Sequence, residues 1–150
     1  YQTINSQSIP LNEDDLNTFK TLQKRRAQTA KNASELLVLQ MEKSRLIECG
    51  REDLAEQVNF RPLTQFVDME FDIASFENDG TPRFITVKTS RGKYRGRWLS
   101  RSEESTAEKL GKSYVLYLVK NVFDGPSVQV LVNPHAFFQK HSTNADYLEE

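Results

Sequence analysis

Leu16, Phe19 and Leu22 recur at helical spacing behind Asn12, Glu13, Asp14 and Asp15. A polar cap followed by an acidic first turn suits the positive end of a helix dipole, so the pattern predicts a helix running into Lys24, Arg25 and Arg26. Asn32 with Glu35 three residues on has the form of a capping box, and Leu36, Leu37, Leu39, Met41, Leu46 and Ile47 lead to Gly50. A second helix is therefore expected there, separate from the first or continuous with it. Residues 52–57 read as a short helix and residues 58–60 as a short strand stopped at Pro62. Residues 71–76 (FDIASF), a turn at Asp79 and Gly80, and residues 83–88 (RFITVK) predict a hairpin. Ser100 with Glu103 repeats the capping signature, for a helix ending near Gly111. Residues 113–122 are almost continuously apolar, the mark of a central strand buried on both faces. Asp124, Gly125 and Pro126 turn the chain into residues 128–132, and Asn133 with Pro134 starts a last short helix through Phe137 and Phe138.

This pattern divides the chain into a helical lead-in over residues 1–31, a core domain over residues 32–139 and a flexible tail over residues 140–150. A chain of 150 residues is long enough for one core without a disulfide or metal staple. Its single cysteine, Cys49, lies in an apolar helical stretch and is expected to be a buried packing residue, in keeping with a cytoplasmic protein. No apolar run is long enough to span a bilayer and no signal-peptide pattern opens the chain, so no membrane partner is expected. Tyr1 with its polar lead-in suggests a piece of a longer protein. His135 and His141 have no second histidine or cysteine at ligand spacing, which argues against zinc.

A net charge of −1 conceals a local asymmetry. Residues 83–101 hold seven basic side chains and no acidic one, leaving −8 for the rest of the chain. Within that stretch Arg91, Lys93, Arg95, Arg97 and Arg101 alternate with Gly92, Tyr94, Gly96 and Trp98. Such a loop can follow a phosphate backbone, with DNA the expected partner. The plainer reading is a solvated edge whose charges discourage aggregation.

Residues 34–39 (SELLVL) with Glu42 and Lys43, residues 50–58 (GREDLAEQV), residues 71–76 with Asp79 and Gly80, residues 85–89 (ITVKT), residues 99–103 (LSRSE) and residues 114–117 (YVLY) follow one another in a particular order. Together they resemble the small domain at the C-terminus of the plant protein NO VEIN and of many bacterial proteins, a branch of the PD-(D/E)XK nuclease-like superfamily. The resemblance covers about residues 32–132 and rests on many weak matches in the right order. It implies an α/β fold with a restriction-endonuclease-like core: a mixed sheet with N-terminal helices and a flanking helix. It also implies a site. Asp72 takes the place of the family's aspartate, Lys88 of its lysine and Glu35 of the glutamate of the first core helix, whereas Thr86 replaces the expected second carboxylate. Ser34 and the pair Glu70 and Phe71 depart from the family's usual glycine, and glycine and tyrosine.

The chemistry of that site turns on Thr86. Magnesium wants octahedral oxygen ligands, and a water attacking a phosphodiester must lose a proton as charge builds on the phosphate. Asp72, a second carboxylate and the carbonyl of residue 87 would hold the ion, and Lys88 would steady the developing charge. A threonine hydroxyl is a much poorer ligand, although Glu70 or Glu35 could stand in for the missing carboxylate. Taken singly, Asp72 and Lys88 are ordinary surface residues and Glu35 is a helix cap. Two functions follow. In the favoured one, the site is degenerate, needs no cofactor, and the domain binds nucleic acid or couples subunits in a larger restriction, helicase or antiphage system. In the other, a divergent magnesium-dependent DNA endonuclease keeps the metal on Asp72.

Overall fold

A computed structural model describes residues 12–62, 66–91 and 98–141. One helix, α1 (Glu13–Glu48), replaces the two that the capping patterns allowed. Its N-terminus is as expected: Asn12 Oδ1 accepts from the Asp15 amide at 2.8 Å, and Asp15 returns the bond at 3.2 Å. Asn32 caps nothing. It sits inside α1, where its side chain accepts from Gln28 Nε2 at 3.0 Å, because an unbroken ladder leaves no free amides there to cap. The C-terminus closes with Arg51 N–H on the Leu46 carbonyl at 2.8 Å and Gly50 in the left-handed region, φ 77°. Cys49 is exposed, contrary to expectation, because the closing turn carries it away from the sheet.

Helix α2 (Glu52–Ala55) leads into a five-stranded sheet made of β1 (Asn59–Phe60), β2 (Ile73–Phe76), β3 (Pro82–Ser90), β4 (Tyr114–Lys120) and β5 (Ser127–Val132). The strands lie in that order, and all neighbours are antiparallel except β3 and β4. A parallel pair needs a crossover, supplied here by α3 (Arg101–Leu110), whose expected Ser100–Glu103 capping box is present. Helix α4 (Pro134–His141) ends the described chain. The result is a mixed α/β fold consistent with a restriction-endonuclease-like core.

Period-two alternation along β3 and β4 sorts the core into two clusters. Ile85, Val87, Val115, Tyr117 and Val119 pack with Val38, Leu39 and Leu46 of α1 and Leu54 of α2. Tyr114, Leu116 and Leu118 pack on the opposite face with Trp98, Ala107 of α3 and Phe138 of α4. Strand β4 is buried at its first six positions, as its unbroken apolar run predicts. Ser34 is fully buried where α1 meets β3, and its hydroxyl bonds the Ala30 carbonyl at 2.9 Å and the Thr89 hydroxyl. A small residue is needed there for helix and strand to approach this closely.

The α1 face also buries charge. Glu42, 1% exposed, accepts from Tyr117 Oη at 2.6 Å, Ser75 Oγ at 2.9 Å and Arg45 Nη2 at 3.0 Å. Arg83 Nε lies 3.1 Å from Glu42 Oε1 as a charge contact, with an angle too poor for a hydrogen bond. Burial pushes the Glu42 carboxyl up, but Arg45, Tyr117 and Arg83 outweigh it and hold it below the ordinary glutamate value of 4.5. Tyr117 is pushed up to about 12, by burial first and then by the Glu42 charge. Removing one member of such a set strands the others.

Glu42→Gln should therefore destabilise the fold by about 3 kcal/mol or more at pH 7, read from urea unfolding. A carboxyl held low in the folded state contributes stability above its unfolded value and loses it as pH falls through the folded one. The gap between parent and variant should persist at pH 5 and shrink only below 4.5; a gap that closes between pH 7 and 5 would contradict the assignment.

Candidate functional site

The C-terminal half of β3 and the residue before β2 carry the site. The Asp72 amide donates to the Ile85 carbonyl at 2.7 Å, extending the β2–β3 pairing by one residue. This sets the Asp72 carboxylate beside β3, where Oδ2 accepts from the Val87 amide at 2.7 Å and lies 3.4 Å from Thr86 Oγ1. Thr86 has one proton to give, and it goes to Glu103 Oε2 at 2.8 Å. Lys88 donates to Glu103 Oε1 at 2.6 Å, and the same oxygen accepts the Ser100 amide at 2.8 Å. Asp72 and Lys88 thus join one cluster, linked through Thr86 and Glu103.

Glu103 is the carboxylate that sequence reasoning did not assign to the site. The sequence pattern marks it only as a cap, and it is one, yet capping occupies only one of its oxygens. The cost of burial raises its carboxyl, but Lys88, the Ser100 amide and Thr86 prevail and keep it below the ordinary 4.5.

On the other side of Asp72 stands Lys31, also unassigned from the sequence. Its ammonium donates to the Val87 carbonyl at 3.2 Å and lies 3.8 Å from both Asp72 Oδ2 and Glu35 Oε1. Glu35, four residues along α1, does not cap a helix. Burial and then the adjacent Asp72 charge raise its carboxyl above 4.5, with Lys31 opposing. The expected substitute Glu70 faces elsewhere: it is exposed and lies 3.8 Å from Arg61 Nη1.

A divalent cation does not fit these residues. An aspartate, a glutamate and a strand carbonyl already converge on the Lys31 ammonium. Glu103 is committed to Lys88, Thr86 and the Ser100 amide. Among the described residues, no group of three or more histidine, cysteine, aspartate or glutamate side chains could hold a metal ion.

The basic stretch divides in two. Arg83 is buried against Glu42, and Lys88 is bound by Glu103, so neither is available to an outside anion. Arg91 and Arg101 are exposed, while Lys93, Arg95 and Arg97 lie outside the described residues. No helix among the described residues is long and apolar enough to cross a membrane.

Fold and cluster together define a mixed α/β domain in which three carboxylates and two lysines gather at the C-terminal half of β3. The sequence profile described as Protein NO VEIN, C-terminal, matches residues 34–131, and the chain belongs to that family. Comparison with curated proteins and with solved structures gives no match.

Lys31→Ala should leave Glu35 and Asp72 facing each other without a cation. The Asp72 charge, no longer opposed by Lys31, then raises the Glu35 carboxyl further, and a group raised in the folded state loses its stability contribution as pH rises. The variant should be less stable than the parent at pH 7, recover on acidification to pH 4, and be rescued at pH 7 by adding Glu35→Gln. Thermal denaturation across pH checks this; a deficit independent of pH would show that Lys31 acts through packing alone.

Proposed function

We propose that this domain is a non-catalytic nucleic-acid-binding or subunit-coupling module, built on a PD-(D/E)XK nuclease-like core whose site has degenerated. It would serve a larger cytoplasmic DNA restriction, helicase or antiphage assembly. The observation that carries the reading is the Lys31 ammonium, seated among Asp72, Glu35 and the Val87 carbonyl. A nuclease of this type needs a hard cation beside its aspartate to activate water and offset phosphate charge. Here a tethered ammonium stands in that place, and Thr86 withholds the second carboxylate. The divergent magnesium-dependent endonuclease would have to displace Lys31 before it could load a metal on Asp72.

Binding has its own support. Arg83 and Lys88 are paired internally, and the sequence supplies Arg91, Lys93, Arg95, Arg97 and Arg101 as a run of basic residues after β3. Each cation that meets a phosphate releases condensed counterions, so affinity should depend on salt more than on sequence. The coupling reading draws on α1, whose residues 12–29 are all exposed, with Leu16, Phe19 and Leu22 44%, 55% and 56% accessible.

The domain should bind duplex DNA without sequence preference and leave plasmid intact in magnesium or manganese. Lys93→Ala with Arg95→Ala should weaken binding to every duplex and shallow the log–log salt slope by about two units. Cleavage by the parent that Asp72→Ala abolishes would replace this reading with the endonuclease. Unaltered DNA binding in the double variant, with loss of a partner protein, would leave only the coupling role.

A further inference from the structure

Beyond the cluster on β3, the chain forms a notch of about 480 Å³ where the exposed half of α1 passes over the C-terminal ends of β3 and β4. Phe19 and Arg26 of α1 form one wall, Ser90 and Arg91 the end of β3, and Phe123 and Asp124 the turn that leaves β4. The Asn121 amide donates to the Ser90 carbonyl at 2.8 Å, which fixes that turn against β3. The volume suits a ligand of small-molecule size, and the carboxyl ends of parallel strands are where open α/β sheets place their ligands.

The lining specifies the ligand. Phe19 and Phe123 are 55% and 64% exposed, and neither belongs to either core cluster, so the fold gives no reason for two rings at one notch. Arg26 and Arg91 supply two guanidinium groups, and among the described residues neither forms an ion pair. Asp124 leaves the lining with one net positive charge and adds an acceptor at its edge. Flat apolar faces beside guanidinium groups suit an aromatic ring that carries an anion, and an acceptor suits the amino or hydroxyl groups of such a ligand. We infer that the notch holds an unpaired nucleotide of a single strand, its base stacked on Phe123 or Phe19 and its phosphate on Arg26 and Arg91. A base inside a duplex is already stacked on both faces and is not offered to the rings, whereas an unpaired base is. This deepens the nucleic-acid reading and rests on it, but it uses residues distinct from Lys93 and Arg95.

The test is a fluorescence-anisotropy titration of the 150-residue chain with a labelled thymidine oligonucleotide, an abasic strand of the same length, and a duplex. The parent should bind the oligonucleotide more tightly than the abasic strand. Phe123→Ala should remove roughly tenfold of that affinity while leaving the salt slope, the abasic strand and the duplex unchanged, since a stacked base contributes without charge. Arg26→Gln should weaken both single strands and shallow the slope by about 0.7. Phe19 and Phe123 are both exposed, so their replacement should leave thermal stability as it was. Equal affinity for the oligonucleotide and the abasic strand, or no effect of Phe123→Ala and Phe19→Ala together, would overturn the proposal and leave the notch to a protein segment. Lys93→Ala with Arg95→Ala, run in parallel, separates the two readings. No effect of the double variant alongside a sensitive Phe123 refutes only the Lys93 and Arg95 reading; a sensitive double variant alongside inert rings refutes only the notch.

Discussion

A charge taken out of water must meet an opposite charge or hydrogen bonds that replace its hydration, and this constraint shapes both faces of the sheet. On the α1 face, Glu42 is held by Arg45, Arg83, Tyr117 and Ser75. On the α3 face, Glu103 is held by Lys88, Thr86 and the Ser100 amide. Between them the Lys31 ammonium meets Asp72, Glu35 and the Val87 carbonyl. Each of these buried or half-buried charges meets an opposite charge from within the chain, and each cluster pins a helix to β2 or β3. Asp72, Glu35 and Lys88, which the family resemblance would assign to a nuclease-like site, here meet charges from the chain itself.

Strand β3 orders the molecule's chemistry along its length. Thr86, Val87 and Lys88 sit in the neutralised cluster, Thr89 ties down α1, Ser90 and Arg91 line the notch, and the cationic run follows. The charged cluster and the notch are therefore neighbours along a single strand. A hydroxyl at Thr86 and an ammonium at Lys31 act in the same direction. Each lowers the attraction of the position for a divalent ion, and neither disturbs the strand ends that would meet nucleic acid.

Much of the fold is legible in local pattern because its causes are local. The unbroken apolar run of β4, the reciprocal Ser100–Glu103 cap and the Asp79 and Gly80 turn each act within a few residues. The continuity of α1 is less legible, since Asn32 and Glu35 satisfy a capping pattern equally well inside a helix, where Asn32 bonds Gln28 and Glu35 pairs with Lys31. Cys49 reads as buried because the apolar run around it hides which way the closing turn faces. At the site, Asp72, Lys88 and Thr86 come from the hairpin and a family resemblance. Lys31 and Glu103 do not, because each arrives from a helix whose placement over the sheet depends on long-range packing. An i,i+4 lysine–glutamate pair and a cap with a spare oxygen are the faint signals that they left.

On this account Lys31 and Lys88 occupy the carboxylates a metal would need. Carboxyl-carbon NMR of Asp72, Glu35 and Glu103, recorded at pH 7 while magnesium is raised through the millimolar range, tests it most directly. Side chains neutralised from within should keep their resonances unchanged throughout. A saturable shift of Asp72 together with Glu103 or Glu35 would mean that magnesium displaces a lysine, and would contradict the claim.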